Sequence, residues 1–382
     1  MPVLRNAKRS LLIALVAVFS APVLAGPPIF STPTIQLYGG GPFNTGSTVY
    51  KGQKGFSSLF DPGTEWDVAR AHIDSFEINT QFVVWGSDTL LKQVFSYLND
   101  HHIPLALEGL MLPNVGGVGS GVEGFSGPRG GMGSVVARIK MLGGTLSSIS
   151  MDEPLYFGHQ SNQMNAPQWS ISQVAHEVAL NVEAVRKVFP QVQIGDIEPI
   201  QYTHDLQSWI SAYEQATGTP LAFLKADLNY IDSTWLSSLE STSALLIQNN
   251  IPLSVIFDGN STDTSNISSI EHALQDFVQV LRDPKIKLSQ AVVQSWLPYP
   301  TELLPDYDDG TSTNLIVKMS NAISVVNIVS EPESFLRFSL LIMSVFFLKV
   351  RNHKSATIAG QPNTGCIRSY LLRARRSPGA TA

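Results

Sequence analysis

The segments ISMDEP (residues 149–154) and IGDIEP (residues 194–199) share one pattern, in which an apolar run leads into two carboxylates and a proline. Burying a charge is costly unless the charge is paired, so apolar strands that end in acids are expected to serve a purpose. The carboxyl ends of parallel strands are also where barrel enzymes place their chemistry. The two segments therefore predict buried strands that end at a functional site.

Apolar, strand-like runs alternate with helix-like segments along most of the chain. Eight runs are predicted as strands, at residues 35–38, 76–84, 103–112, 146–152, 192–198, 221–227, 253–258 and 291–296. The helices between them have start signals at Ser87, Ser172 and Asp232. This alternation predicts an α/β fold, a single (β/α)8 TIM barrel, with an open doubly wound sheet as the competing fold.

Polar residues at the strand ends share faces, because side chains alternate along a strand. Asp196 and Glu198 share one face of the fifth run, and Lys225 and Asp227 share one face of the sixth. Asp258 ends the seventh run. If these faces point into the barrel, as we expect, the side chains converge on one mouth.

The fourth run ends in Asp152-Glu153-Pro154, which resembles the Asn-Glu-Pro motif of the large clan of retaining glycoside hydrolases. The resemblance implies that Glu153 is the general acid/base, with Asp152 in place of the clan's asparagine. The clan's nucleophile is a glutamate on the seventh strand, where this chain has Asp258, and Glu198 on the fifth strand is the other candidate partner. Two carboxylates suit glycoside hydrolysis, because one protonates the leaving oxygen while the other attacks the sugar or activates water.

Further residues near the strand ends are predicted to bind the sugar. Aromatic rings can stack on the apolar face of a pyranose, and tyrosine adds a hydroxyl group. The predicted substrate-binding residues are Glu108, Asp152, Asp196, Tyr202, Lys225, Asp227, Tyr230 and Trp296. The alternative is that the acids pair with Lys225 or cap helices, and that the rings pack in the core. A glycine-rich segment from Gly116 to Gly133 predicts a mobile lid, in which Arg129 brings a positive charge to the mouth.

The sequence predicts no metal and no cofactor. It contains no His-Glu-x-x-His, no paired-cysteine spacing, no phosphate-binding loop and no Gly-x-Ser-x-Gly. The alternative is an oxygen-ligated Mg²⁺ or Ca²⁺ held among Glu108, Asp152, Asp196 and Asp227.

The two ends of the chain differ from the middle. Residues 1–25 resemble a signal peptide, with a basic start, an apolar stretch and a small-residue cleavage site at Ala25. Residues 26–328 are then the barrel domain. The single cysteine, Cys366, leaves no internal disulfide, which favours a bacterial exported protein, either secreted, periplasmic or on the cell surface.

Residues 329–382 form a tail of different composition. From residue 335 onward the chain has eight Lys+Arg and no acid, whereas all 31 Asp+Glu precede it. Ser330-Glu331-Pro332, the apolar run after it and Lys349 resemble the PEP-CTERM sorting signal of Gram-negative bacteria, which implies processing by membrane sorting machinery. A tail translated in a shifted frame is the alternative. The acidic body argues against nucleic acid as a partner, because phosphate binding needs a basic face.

Together these features predict an exported glycoside hydrolase acting on a polysaccharide or oligosaccharide. A non-catalytic carbohydrate-binding or extracellular-matrix protein on the same barrel is the rival hypothesis, since a fold does not fix a function. A metal-dependent lyase or hydrolase is the third hypothesis.

Overall fold

A computed structural model describes residues 32–46, 48–114, 116–126 and 131–330 of the chain. The chain divides into two units, Met1–Ser324 and Val325–Ala382, and nearly all of the second lies outside these ranges. The signal-peptide segment, Arg129, Cys366 and the tail from residue 331 are also outside the described residues, so the predictions made there stay predictions. Within the described residues, no helix is long and apolar enough to cross a membrane.

Eight parallel strands close into a barrel. They are β1 (Thr34–Tyr38), β4 (Ser75–Asn79), β5 (Leu105–Gly109), β6 (Leu146–Asp152), β7 (Gln193–Pro199), β8 (Leu224–Asp227), β9 (Leu253–Phe257) and β10 (Leu288–Val293). Their order around the barrel is β1-β10-β9-β8-β7-β6-β5-β4. A short antiparallel hairpin, β2 (Phe43–Asn44) with β3 (Val49–Tyr50), follows β1. Each barrel strand overlaps a predicted run, so the TIM barrel is confirmed and the doubly wound sheet is wrong.

Helices follow the strands and surround the barrel. They are α1 (Asp67–Arg70), α2 (Thr80–Trp85), α3 (Asp88–Asp100), α4 (Met132–Met141), α5 (Ile171–Val188), α6 (Leu206–Thr217), α7 (Trp235–Gln248), α8 (Asn266–Arg282) and α9 (Ser312–Ser330). In the longer helices apolar residues recur at helical spacing, which gives such a helix one face to bury against the strands. In α3 that face is Leu91, Val94, Phe95 and Leu98, all buried.

Capping explains where several of these helices begin. Ser87 caps α3 by accepting a hydrogen bond from Leu90 N–H, as predicted. The prediction of Ser172 as a cap is wrong, because Ser170 forms a reciprocal capping box with Gln173 two residues earlier than expected. Asp232 accepts hydrogen bonds from Thr234 rather than capping α7 directly.

The run at residues 76–84, predicted as one strand, is two elements. Strand β4 ends at Asn79, whose side chain accepts a hydrogen bond from Phe82 N–H and so starts α2. A side-chain cap of this kind satisfies a backbone donor that the first turn leaves free. The apolar character of residues 80–84 therefore belongs to a buried helical turn rather than to the sheet.

The barrel interior combines an apolar cluster with a buried ion pair. Ile197, Ile256 and Val292 form a small cluster separate from the main core between strands and helices. Lys225 Nζ lies 2.6 Å from Glu77 Oε2, and both side chains are fully buried. A buried ion pair is stable only when its remaining polar atoms are also hydrogen-bonded, so Lys225 and Glu77 need further partners.

Those partners come from two further strands. Lys225 Nζ also donates to Gln36 Oε1 at 2.6 Å, and Ser150 Oγ donates to Glu77 Oε1 at 2.7 Å. The network thus joins β1, β4, β6 and β8 across the barrel.

Candidate active site

A cleft at the carboxyl ends of the strands consists of two adjoining lobes. The first, here the Glu108 lobe, has a volume of about 520 Å³ and is lined by Glu108 and Tyr38, among others. The second, the Asp258 lobe, has a volume of about 540 Å³ and is lined by Glu153, Asp227 and Asp258, among others. The residues that line both lobes are Glu123, Asp152, Trp296 and Leu297. The shared lining shows that the two lobes adjoin each other.

The backbone around Glu153 holds this residue firmly at the end of β6. Its φ angle is +46°, a left-handed conformation that is uncommon for a residue with a side chain. Its N–H donates to Ile197 O at 3.2 Å, and its carbonyl accepts from Phe157 N–H at 3.0 Å. Non-glycine residues in this conformation cost about 1–3 kcal/mol and cluster at functional sites, which makes Glu153 a candidate functional residue.

The carboxyl of Glu153 is buried among other acids. It is 8% exposed, and it lines the Asp258 lobe together with Asp227. Burial, followed by the charges of Asp227 and Asp152, raises the pKa of Glu153 well above its usual range. Burial also raises the pKa of Asp227, so burial disfavours the ionised form of both carboxyls.

Asp258 lies in the same lobe as this pair. It is 7% exposed, and burial, followed by the charge of Asp227, raises its pKa well above the usual range. The structure therefore brings Glu153, Asp227 and Asp258 together, as the inward-face interpretation of the sixth and seventh strands predicts.

Asp152 shapes the shared wall of the cleft. It is 6% exposed, and its Oδ2 accepts a hydrogen bond from Gly124 N–H at 3.3 Å. Burial, then the charge of Glu123, raises the pKa of Asp152 well above its usual range. Asp152 thus connects the end of β6 to the glycine-rich segment.

The two rim aromatics are open to solvent, and a third ring is buried in the wall. Trp296 is 45% exposed and lies 5.2 Å from Tyr38 between ring centroids. Tyr202 is 44% exposed, and its hydroxyl accepts from Asn229 Nδ2 at 3.0 Å. Tyr230 lines the Asp258 lobe but is buried, with its hydroxyl donating to Ile256 O. The exposed rings of Trp296 and Tyr202 are therefore free to stack on a ligand, whereas Tyr230 contributes mainly packing.

The expectation that Asp196 and Glu198 point into the mouth is wrong. Strand register aligns Asp152 with Ile197, and Ile197 with Lys225, so these residues share the interior face. Asp196 and Glu198 therefore point outward, towards the helices. Both residues are fully buried there, and neither lines the cleft.

The outward-facing acids have structural partners. Asp196 Oδ2 accepts from Trp209 Nε1 of α6 at 2.6 Å. Glu198 accepts from Leu155 N–H at 2.7 Å and from Tyr156 N–H at 3.1 Å, which caps the turn that follows Glu153. Burial raises the pKa of both acids well above the usual range, so a shifted pKa alone does not mark an acid as part of the site.

Two other predicted binding residues lie at different depths. Lys225 is fully buried in the barrel interior with Glu77 and lines neither lobe, so it is not available to a ligand in this structure. Glu108 lines the Glu108 lobe, is 3% exposed and lies 3.5 Å from Gln294 Nε2. Burial, then the charge of Asp152, raises the pKa of Glu108 well above its usual range.

The sequence interpretation missed Glu123, which belongs to the glycine-rich segment. This residue lines both lobes while its side chain stays in contact with solvent. Partial enclosure by protein, then the charge of Asp227, raises the pKa of Glu123. The pairing of Leu112 with Phe125 folds residues 116–126 back over the mouth, consistent with a cover. A glycine-rich segment has no hydrophobic period from which side-chain directions can be predicted. The only signal in the sequence was an acid placed between glycines.

The acids are not arranged as a metal centre. Among the residues that the structure describes, no three His, Cys, Asp or Glu side chains are grouped so as to hold a metal ion. The alternative of an Mg²⁺ or Ca²⁺ site also fails for Asp196, because this residue lies on the outer face of β7.

Comparison with known proteins assigns no family to this chain. No protein-family model and no curated protein matches the sequence. An endo-1,4-beta-xylanase from Caldicellulosiruptor owensensis is 9% identical over 75% of this chain and 96% of that chain, with a TM-score of 0.44. An endo-beta-1,3-glucanase from Sorangium cellulosum is 13% identical over 66% and 93%, with a TM-score of 0.39. CdNal from Clostridium difficile, solved with mannosamine, is 9% identical over 84% and 83%, with a TM-score of 0.40. At such identities and TM-scores these likenesses assign no role to this chain.

Proposed function

We propose that this protein is an exported glycoside hydrolase that cleaves a polysaccharide by carboxylate acid/base catalysis. The observation that carries the proposal is the buried carboxyl of Glu153, held at the end of β6 in a cavity that Asp227 and Asp258 also line. Export to the periplasm, cell surface or medium of a bacterium rests on the predicted signal peptide at residues 1–25 and on the single cysteine, which leaves no internal disulfide.

Glu153 has the properties that a general acid needs. Its raised pKa favours the protonated carboxyl, which can give its proton to the glycosidic oxygen as the bond breaks. Asp227 lines the same lobe, and its charge helps to raise the pKa of Glu153. As the proton leaves, Glu153 becomes a carboxylate that can later accept a proton from water.

Asp258 is the proposed partner of Glu153. It lines the same lobe, whereas Glu198, the other candidate, is directed towards the helices and caps a turn. Asp258 either attacks the anomeric carbon or activates a water molecule. A carboxyl separation of about 5–5.5 Å favours the first route and about 6.5–9.5 Å the second.

The shape and rim of the cleft fit a chain of sugars. Two lobes of about 520 and 540 Å³ adjoin at Asp152 and Trp296. The exposed faces of Trp296 and Tyr202 offer stacking surfaces for pyranose rings. A ligand that spans both lobes would pass the carboxyl of Glu153.

The test is a panel of polysaccharides incubated with the wild type, Glu153→Gln and Asp258→Asn. We expect hydrolysis of at least one polysaccharide by the wild type and a loss of about 10²–10⁴-fold in each variant. Glu214→Gln, on the exposed side of α6, is the matched control and should retain full activity. Thermal melting of all four proteins confirms that each is folded.

Two outcomes would contradict the proposal. Equal activity of Glu153→Gln and the wild type would remove Glu153 from the mechanism. Binding of a polysaccharide without turnover by the wild type would instead support a non-catalytic carbohydrate-binding protein.

A further inference from the structure

The loop between β9 and α8 begins with Asp258, the proposed partner of Glu153. The next residue, Gly259, has a φ of +81°, a left-handed conformation that glycine adopts without strain. A Cβ added at Gly259 would lie 2.9 Å from Asp263 Oδ2 and closer still to the Ser269 hydroxyl. The chain therefore turns sharply behind Asp258, and two side chains pack directly against that turn.

The carboxylate of Asp263 holds this turn through the backbone. Its Oδ2 accepts a hydrogen bond from Asn260 N–H at 2.6 Å, and Asp263 N–H donates to Asn260 O at 3.0 Å. The Asp263 side chain is only 2% exposed, although its neighbours Thr262 and Thr264 are exposed. Because a carboxylate shielded from water must be paired or hydrogen-bonded, its second oxygen also needs a partner.

That partner is His272 of α8. Its Nδ1 lies 2.6 Å from Asp263 Oδ1, and the Nδ1–H donates because a carboxylate accepts. Ser269, three residues earlier in the same helix, donates its hydroxyl to Tyr299 O at 3.0 Å and lies 3.4 Å from Asp258 O. Helix α8 thus contacts both ends of the turn, at Asp258 through Ser269 and at Asp263 through His272.

We propose that Asp263 and His272 are positioning residues of the hydrolase, which fix the backbone behind Asp258 so that its carboxyl stays in the cleft. This inference rests on the proposed function and deepens it. Neither residue lines the Glu108 lobe or the Asp258 lobe, so their effect on turnover passes through Asp258. A displacement of about 1 Å at a reacting group can cost about a hundredfold in rate, so hydrogen bonds behind that group are able to control turnover.

The test uses two pairs of substitutions in the full-length protein. Asp263→Ala removes both acceptor oxygens, whereas Asp263→Asn keeps the shape of the side chain and one acceptor. His272→Ala removes the donor to Asp263, whereas His272→Asn keeps a donor, because an asparagine amide nitrogen takes the place of Nδ1. His176→Ala, on the exposed side of α5, is the matched control.

Turnover distinguishes positioning from substrate binding. With a polysaccharide that the wild type hydrolyses, we expect Asp263→Ala to lower kcat by about 10–100-fold and His272→Ala by about tenfold. KM should change by less than about twofold, because neither residue contacts the substrate. His272→Asn should recover most of the lost kcat, Asp263→Asn should lie between Asp263→Ala and the wild type, and His176→Ala should match the wild type.

Hydrogen–deuterium exchange reports on the same turn without a substrate. The Asn260 N–H is protected by its bond to Asp263 Oδ2, so its exchange should be about tenfold faster in Asp263→Ala. Exchange within β9 should match the wild type, which shows that the barrel of the variant is folded.

The outcomes separate this inference from the proposed function. Unchanged kcat in both alanine variants of an active enzyme would overturn the inference and leave the hydrolase intact. A loss of kcat in His272→Ala that His272→Asn does not recover would also overturn it. If the wild type hydrolyses no polysaccharide, the hydrolase fails, and exchange at Asn260 still decides whether Asp263 holds the turn: unchanged exchange in Asp263→Ala would overturn that role as well.

Discussion

Substitution of Glu198 is the clearest test of which buried acids are structural and which are catalytic. Its side chain is fully buried, and its two oxygens accept from Leu155 N–H at 2.7 Å and from Tyr156 N–H at 3.1 Å. Both donors belong to the turn that follows Glu153 and Pro154. Replacing Glu198 by alanine removes both acceptors and leaves the two donors without a partner.

The expected cost follows from those two bonds. A buried donor that loses its partner costs about 1–3 kcal/mol, and the Tyr156 donor is only partly buried. We therefore expect Glu198→Ala to lower the free energy of unfolding by ~2–4 kcal/mol and the Tm by roughly 5–10 °C. Activity should fall as well, because the turn that positions Glu153 loosens.

The assay compares thermal melting and turnover in Glu198→Ala, Glu198→Gln and Glu153→Gln. Glutamine retains one acceptor oxygen, so Glu198→Gln should lie between the wild type and Glu198→Ala in both measurements. Glu153→Gln should lose turnover without losing stability. If Glu198→Gln were inactive but as stable as the wild type, Glu198 would act on the substrate and its assignment as a capping residue would be wrong.

Three further predictions concern the cleft and the interior. Gly124→Ala should reduce activity, because its φ is +77° and an added Cβ would lie 2.3 Å from a backbone oxygen at the end of β6. The control is Gly116→Ala in the same segment, where φ is also positive but an added Cβ would meet no atom within 4 Å. In parallel turnover assays Gly116→Ala should reduce activity less than Gly124→Ala does. Asp258 has a pKa raised by folding, so the stability it contributes is complete below the unfolded pKa of about 3.9 and is lost as pH rises through the folded pKa. Asp258→Asn should therefore gain Tm relative to the wild type as pH is raised from about 4.5 to 8, and a difference independent of pH would contradict this reasoning. Lys225→Met should lower the free energy of unfolding by about 3–5 kcal/mol in denaturant titrations, because it leaves Glu77 charged, buried and unpaired, and a change below about 1 kcal/mol would contradict the importance of the pair.

The sequence was sufficient for the barrel because its strands are buried on both faces. Such strands read as continuous apolar runs, and eight of them alternated with helical segments. Burial on both faces also made the orientation of β7 unpredictable from the sequence. With residues on both faces buried, period-two spacing groups Asp196 with Glu198 but does not say which face is inside.

The register of the neighbouring strands supplied the missing orientation. Ile197 aligns with Asp152 on one side and Lys225 on the other, which sets the inner face of β7. Trp209, whose indole N–H binds Asp196, is a long-range partner that no local pattern reveals. Glu123 was missed for a different reason, since a glycine-rich segment has no hydrophobic period to locate its side chains.

The ion pair inside the barrel has a consequence for how the chain can be divided. Glu77, Gln36 and Ser150 belong to the first four barrel strands, whereas Lys225 belongs to the last four. A fragment that ends after β6 would carry a buried carboxylate without its cation, and the complementary fragment an ammonium without its anion. The two half-barrels thus depend on each other through this ion pair. Neither is expected to fold alone. Mixing them should restore structure only when the first fragment carries Glu77 and the second carries Lys225.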